Sequence, residues 1–308
     1  MDISIIIPVY FNEGSINKTF EVLKNEVFSN FPDLKFETIF IDDGSKDASL
    51  EEIMKVKASN EDVKLIQFSR NFGQVAAIYA GYEAASGRGV LNISADLQDP
   101  ASLITEMITS FIREDAPVIL GQRDGRDESR YRKTTSKFFY SIMRKLSFPN
   151  MPDGGFDVAL ISQEVKNKLL ELNESNPFWQ GQILWTGYPV RFIPYTRQKR
   201  EAGKSKWSFS KKIKYLLDGV LNYSYSPLRF FSLVGIISFL LGILYSVIIV
   251  IQYISGGSPF EGWAPLMIII LLFSGLQLLV LGLIGEYLWR TLEQTKDRPK
   301  YIIKKEKV

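Results

Sequence analysis

Two uncharged stretches near the carboxyl end constrain this 308-residue chain more than any other feature. No charged residue lies between Arg229 and Glu261, and a second uncharged run lies between Glu261 and Glu286. At about 1.5 Å per residue, some 20 helical residues cross a bilayer core of roughly 30 Å. Each run therefore predicts a transmembrane helix, the first with its core at Phe230–Ile254. The connecting loop, near Ser255–Trp263, has no Lys or Arg. Lys204, Lys206, Lys211, Lys212, Lys214 and Arg229 precede the pair; Arg290, Lys296, Arg298, Lys300, Lys304 and Lys305 follow it. The positive-inside rule then puts both termini in the cytoplasm. Just upstream, Ile213, Leu216, Leu217, Val220 and Leu221 make an apolar stripe at helical spacing, which predicts a helix lying in the membrane interface.

What precedes these segments is long enough for one α/β domain of about 200 residues. The chain has no cysteine and no histidine. That excludes thiolate metal sites, thiol catalysis, a Ser-His triad and His-ligated zinc, leaving carboxylates, Lys, Arg, hydroxyls and a metal for any chemistry. A formal net charge of +3 gives no reason to expect nucleic acid. The first apolar run is too short for a signal peptide, so the amino-terminal part is expected to stay in the cytosol.

Apolar runs of strand length at Ile3–Val9, Phe36–Ile41, Val63–Phe68, Val90–Ile93 and Val118–Leu120 alternate with helical patterns. This is the signature of a doubly wound, mostly parallel sheet, which places ligands beyond the carboxyl ends of its strands. Asp42 and Asp43 end the second strand, where acidic residues take ribose hydroxyls or a base edge, or else cap the helix after Gly44-Ser45. Arg70 and Asn71 follow the third strand, within reach of a diphosphate, although Asn71 is equally a helix cap. There is no Walker loop and no G-x-G-x-x-G fingerprint, so neither an ATPase nor a nicotinamide enzyme is favoured.

The fourth strand runs into SADLQDP, Ser94 to Pro100, with Pro100 placed to open a helix. Asp96, Asp99 and the Gln98 carbonyl are oxygen donors of the kind Mg²⁺ or Mn²⁺ shares with substrate phosphates. Beyond Gly121 a basic segment passes into a helix with Phe138, Phe139, Ile142, Met143 and Leu146 on one face and Arg130, Lys133, Lys137, Arg144 and Lys145 elsewhere. Such a helix reads as a membrane-surface element or phosphate clamp. A soluble domain with an acidic loop, joined through a basic collar to membrane helices, suits a water-soluble phosphate donor meeting a lipid acceptor.

With IIIPVYFNE, IDDGSKD, SRNFGQ, SADLQDP, the basic segment, REAGKSKW and the two apolar helices in this order, essentially the whole chain resembles the polyprenyl-phosphate glycosyltransferases of family 2, GT-A class, close to dolichyl-phosphate mannose synthase and the bacterial undecaprenyl-phosphate glucosyltransferases. The resemblance implies a GT-A domain over residues 1–206, a juxtamembrane helix over 207–227, two membrane helices over 228–290 and a basic cytoplasmic tail over 291–308. It also implies transfer of a sugar, glucose from UDP-glucose in the first instance, to undecaprenyl phosphate at the cytoplasmic face of a bacterial plasma membrane. N-acetylglucosamine, galactose, mannose and aminoarabinose-type donors stay open. Pro8, Tyr10, Glu13 and Asp43 match nucleotide-pocket positions. Asp96 and Gln98 match the metal-binding part of D-x-D-x-Q. Arg123, Arg132 and Ser136 match residues for the acceptor phosphate. Arg200, Ser205 and Lys206 match R-x-x-G-x-S-K, which closes over the substrates. Asp157 matches an acidic residue near the reaction centre, there to take a residual proton or orient the sugar. The family also implies a homo-oligomer, a tetramer.

Ser94 departs from the pattern, which has Asp there; a serine hydroxyl is a weaker, neutral ligand, so the metal site loses a charge. That leaves a non-catalytic membrane adaptor binding nucleotide sugar as the rival of another class. A processive polysaccharide synthase would need a channel of several helices and a Q-x-x-R-W element, which the sequence lacks.

Overall fold

A computed structural model describes residues 1–96, 98–114, 116–123, 139–198, 217–255 and 264–307. The chain divides into two compact units, Met1–Gly219 with Arg298–Val308, and Val220–Asp297.

In the first unit β1 (Ile3–Val9), β2 (Phe36–Asp42), β3 (Val63–Phe68), β4 (Gly89–Asn92) and β5 (Val118–Arg123) form where the apolar runs predict them. They are separated by α1 (Ile16–Val22), α2 (Ser49–Ala58), α3 (Gln74–Ala84) and α4 (Ala101–Glu114). A helix at residues 139–146 (α5) precedes β6 (Phe156–Ser162), α6 (Gln163–Glu171), α7 (Trp179–Trp185) and β7 (Val190–Tyr195). Residues 217–221 (α8) are helical, and β8 (Ile303–Lys307) closes the chain. Among the described residues the sheet has eight strands in the order β7-β5-β6-β4-β1-β2-β3-β8. All are parallel except β6, antiparallel to β4 and β5, and β8, antiparallel to β3.

β2 is buried along its whole length, as a central parallel strand covered on both faces must be. On one face Ile5, Ile7, Val9 and Phe40 share a core with Ile16, Phe20 and Leu23 and with Ile104, Met107 and Ile108 of α4. On the other, α3 lies so close to β1 that a Cβ at Gly81 would collide with the Ile6 side chain. The small-residue composition of α3 is thus a packing requirement. In α5 the buried positions are Tyr140 and Met143, whereas Leu146 is exposed, so the face expected through Leu146 is turned. In α8 Val220 and Leu221 are buried and Leu217 is exposed; Ile213 and Leu216 of the expected interfacial stripe lie outside the described residues.

The stretch expected only as a basic tail is structural. β8 pairs with β3, and the Ser69 N–H donates to the Ile302 carbonyl at 2.9 Å. The Tyr301 ring stacks on Phe68 with centroids 4.8 Å apart, and its hydroxyl donates to Glu83. An edge strand left bare would expose unpaired backbone groups. β8 covers that edge.

The second unit consists of α9 (Ser226–Ile254) and α10 (Ala264–Thr295). Within α9, Ser226–Tyr245 is long and apolar enough to cross a membrane, the one such segment among the described residues. α10 runs past the expected boundary at 290 to Thr295. Near its end Arg290 donates to Glu286 at 2.9 Å and to Asn222 at 3.0 Å.

Candidate active site

The parallel strands all end on one edge of the sheet, and antiparallel β6 begins there. The described residues that follow β1, β2, β3, β4 and β7, the last residue of β5 and the first residues of β6 therefore converge. Pro8, Tyr10, Glu13, Asp42, Asp43, Arg70, Asn71, Ser94, Asp96, Gln98, Arg123 and Asp157 all belong to these strand ends and the loops that follow them.

On its acidic side, Asp42 closes β2 and is fully buried. Its Oδ1 accepts the Ser45 N–H at 3.0 Å, and its Oδ2 has no hydrogen-bond partner among the described residues. Asp43 accepts from the Asn71 side chain at 2.7 Å, the Phe72 N–H at 2.6 Å and the Gly73 N–H at 2.9 Å. Burial pushes its carboxyl up to about 6 even against these donors. Asn71 is thus a brace for Asp43 and not a helix cap. Gly44 has φ +73° and a Cβ there would sit 2.7 Å from the Arg70 carbonyl carbon, so only glycine lets the two loops abut. Arg70 is exposed, its guanidinium 4.1 Å over the Phe72 ring. Pro8 is half-buried on β1, and the Tyr10 N–H donates to Asn12 at 2.9 Å. Glu13 accepts the Ala48 N–H at 3.3 Å and donates its own N–H to Asp47 at 3.3 Å, a clasp on the start of α2.

The loop after β4 holds Ser94, Asp96, Gln98 and Asp99. The Ser94 N–H donates to Asp99 Oδ2 at 2.9 Å, and its hydroxyl donates to the same oxygen. Asp99 Oδ1 accepts the Tyr195 hydroxyl at 3.3 Å. Burial, then the charge of Asp99, pushes that phenol up to about 12, so it remains a donor at neutral pH. Ser94 and Asp99 are thereby a structural pair, and Asp96 is 5% exposed. The Gln98 carbonyl accepts the Gln198 N–H at 3.0 Å, and the Gln98 side chain donates to the Gln198 carbonyl at 3.3 Å. One carboxylate and one amide are hard oxygen donors that fit Mg²⁺ or Mn²⁺ only with phosphate oxygens completing the shell. No group of three or more acidic side chains able to hold a metal occurs among the described residues.

On the basic side, Arg123 ends β5, Asp157 is the second residue of β6 and Arg197 lies two residues past β7. Both guanidiniums pair with Asp157 Oδ2, Arg197 at 2.8 Å. The Asn92 side chain donates to the Asp157 carbonyl at 2.8 Å, tying this cluster to the end of β4. Arg132, Ser136, Arg200, Ser205 and Lys206 lie outside the described residues. Sequence reasoning missed Tyr195, Arg197 and Gln198 because it did not find β7, whose burial is uneven and which carries Pro194. The signal available was Arg197 itself, three residues ahead of Arg200 in one basic run.

A mixed α/β sheet with acidic loops after β2 and β4 is a GT-A-like arrangement, that of a glycosyltransferase. The chain belongs to glycosyl transferase family 2, which matches residues 4–170; residues 226–290 match the GtrB C-terminal hairpin. It is 38% identical to an uncharacterized glycosyltransferase, YkcC, of Bacillus subtilis (strain 168), over 98% of this chain and 93% of that one. It is 34% identical to the bactoprenol glucosyl transferase of Shigella phage SfV, over 100% and 99%. A prophage bactoprenol glucosyl transferase homolog of Escherichia coli (strain K12) is 32% identical, over the full length of both chains.

Proposed function

We propose that this protein transfers glucose from UDP-glucose to the phosphate of a polyprenyl phosphate, undecaprenyl phosphate, at the cytoplasmic face of a bacterial plasma membrane. The observation that carries the reading is one sheet edge bearing acidic loops after β2 and β4 and two guanidiniums, one at the end of β5 and one just past β7. The apolar Ser226–Tyr245 segment and the names of the full-length relatives support a lipid acceptor.

The Oδ2 of Asp42, without a hydrogen-bond partner among the described residues, suits a hydrogen bond from the nucleotide, and the brace of Asn71 on Asp43 shapes that pocket. Asp96 and Gln98 would hold the divalent ion, which when bound neutralises the departing diphosphate. A phosphate monoester is an anion at neutral pH, so its oxygen attacks the anomeric carbon without a strong base. The new C–O bond forms as the bond to the diphosphate oxygen breaks, its electron pair leaves with the nucleoside diphosphate, and the configuration inverts. Arg123 and Arg132 hold the attacking phosphate; Arg200 and Lys206 close over the leaving group. The residues' work is positioning and charge neutralisation. α9 and α10 form two spans with both termini cytoplasmic, and the protein assembles as a tetramer.

The test supplies purified protein in detergent with undecaprenyl phosphate and labelled UDP- and GDP-sugars, in Mg²⁺, Mn²⁺ or EDTA. Labelled lipid from UDP-glucose, lost with EDTA and with Asp96→Ala, is expected. Nucleotide binding without labelled lipid from any donor would refute the enzyme reading in favour of an adaptor. The chain has no cysteine, so single cysteines placed at Ser258 and at the carboxyl terminus report the two-span topology by labelling in whole cells.

A further inference from the structure

Arg123 and Arg197 both point at one oxygen of Asp157, so their remaining donors must be met elsewhere. Two guanidiniums share one carboxylate oxygen in a cluster whose arginine side chains are only 11% and 14% exposed, and the second carboxylate nearby, Asp99, is bonded to the Tyr195 hydroxyl. The Nε atoms of both arginines are buried with no hydrogen-bond partner among the described residues. A guanidinium carries five N–H donors, and leaving buried ones unmet costs free energy. Two buried guanidinium edges without an acceptor among the described residues, beside a carboxylate that is 30% exposed, suit an oxyanion. The forked donors of two adjacent guanidiniums match the oxygens of a phosphate monoester.

We propose that Arg123, Asp157 and Arg197 form one clamp for the acceptor phosphate, in which Arg197 is a second phosphate ligand and Asp157 is a positioning residue. This rests on the lipid-phosphate acceptor of the proposed function and assigns it two further groups. Asp157 holds the guanidiniums side by side and cancels enough of their mutual repulsion to keep them within reach of one ligand. It is not needed as a base, because its Oδ2 is already engaged by two cations and the acceptor phosphate is already an anion at neutral pH. Arg197 is also placed to report on the donor side. The next residue, Gln198, is hydrogen-bonded in both directions to Gln98 of the metal loop. Anion capture by the clamp is thereby coupled through the backbone to the loop holding Asp96.

The same donors could receive the donor diphosphate, so the experiment separates the two phosphate sources. Full-length protein in detergent micelles is titrated with undecaprenyl phosphate and, separately, with UDP in Mg²⁺, for the wild type and for Arg197→Ala, Arg197→Lys and Asp157→Asn. Retained UDP binding also shows that each variant is folded. Arg197→Ala is expected to weaken the lipid by about 10- to 100-fold and UDP by less than twofold. Arg197→Lys should recover only part of the loss, since a point charge lacks the fork. Asp157→Asn should raise KM for the lipid more than it lowers kcat and should leave the acid limb of the pH–rate profile in place. Wild-type lipid affinity unchanged in Arg197→Ala, or a loss confined to UDP, overturns the clamp. Collapse of kcat in Asp157→Asn at unchanged KM, with the acid limb removed, overturns the positioning role. A wild type that binds UDP but no lipid phosphate would instead refute the functional reading on which the clamp rests.

Discussion

The Gln198 N–H donates to the Gln98 carbonyl at 3.0 Å, and the Gln98 side chain returns a bond to the Gln198 carbonyl at 3.3 Å. Positions one hundred residues apart are thus joined, the loop after β4 to the stretch that in sequence leads into Arg200 and Lys206. Gln198→Pro removes the donor without adding charge. A net hydrogen bond is worth about 1 kcal/mol, so turnover at saturating substrates should fall by about fivefold or more with the melting temperature little changed. Steady-state kinetics beside thermal unfolding decide it: a large drop in stability with normal kcat would mean the contact is only scaffolding.

Ser94 donates from both its N–H and its hydroxyl to Asp99. Restoring the family's aspartate would set a second carboxylate against one already held there, and two such groups cannot both ionise cheaply. Ser94→Asp is therefore expected to lower stability by about 1–3 kcal/mol and to weaken Mg²⁺-dependent UDP binding, while Ser94→Ala costs about 1 kcal/mol. Tighter metal binding in Ser94→Asp would contradict the pairing.

Asp43 sets a pH dependence. Burial raises its carboxyl from 3.8 to about 6 in the folded protein. The folded chain thus takes up this proton as pH falls through about 6, whereas the unfolded chain does so near 3.8, so acidification across that window stabilises the fold through this group. Nucleotide affinity moves the other way. The protonated carboxyl loses acceptor capacity for Asn71, Phe72 and Gly73, and UDP binding should weaken by up to about tenfold per pH unit below 6. Calorimetric titration between pH 7.5 and 5 should find that slope in the wild type and a flatter one in Asp43→Asn.

Tyr301 stacks on Phe68 and donates to Glu83, fastening β8 to the edge beside β3. Tyr301→Ala should cost about 2–4 kcal/mol, combining lost aromatic area with a lost hydrogen bond. Hydrogen exchange at β3 amides should rise with it. Unchanged protection of Leu65 and Gln67 would mean that β8 is dispensable.

Much of this molecule is legible in local pattern. Ile3–Val9 and Phe36–Asp42 are rich in Ile and Phe and buried almost from end to end because both faces are covered, and that pattern points to a parallel α/β core. Asp42, Asp43 and Asp96 could be named because strand ends are where such sheets keep their ligands. The uncharged run after Arg229 fixes an apolar helix by length alone. Tertiary structure decided what depends on pairing between distant segments. The turn of α5 toward Tyr140 and Met143, the conversion of a basic tail into β8, and the commitment of Ser94 to Asp99 each rest on a partner that local sequence does not specify. Arg197 is the clearest case. It becomes a site residue only because parallel β5 and β7 end where antiparallel β6 begins, a strand order that periodicity within any one segment does not encode.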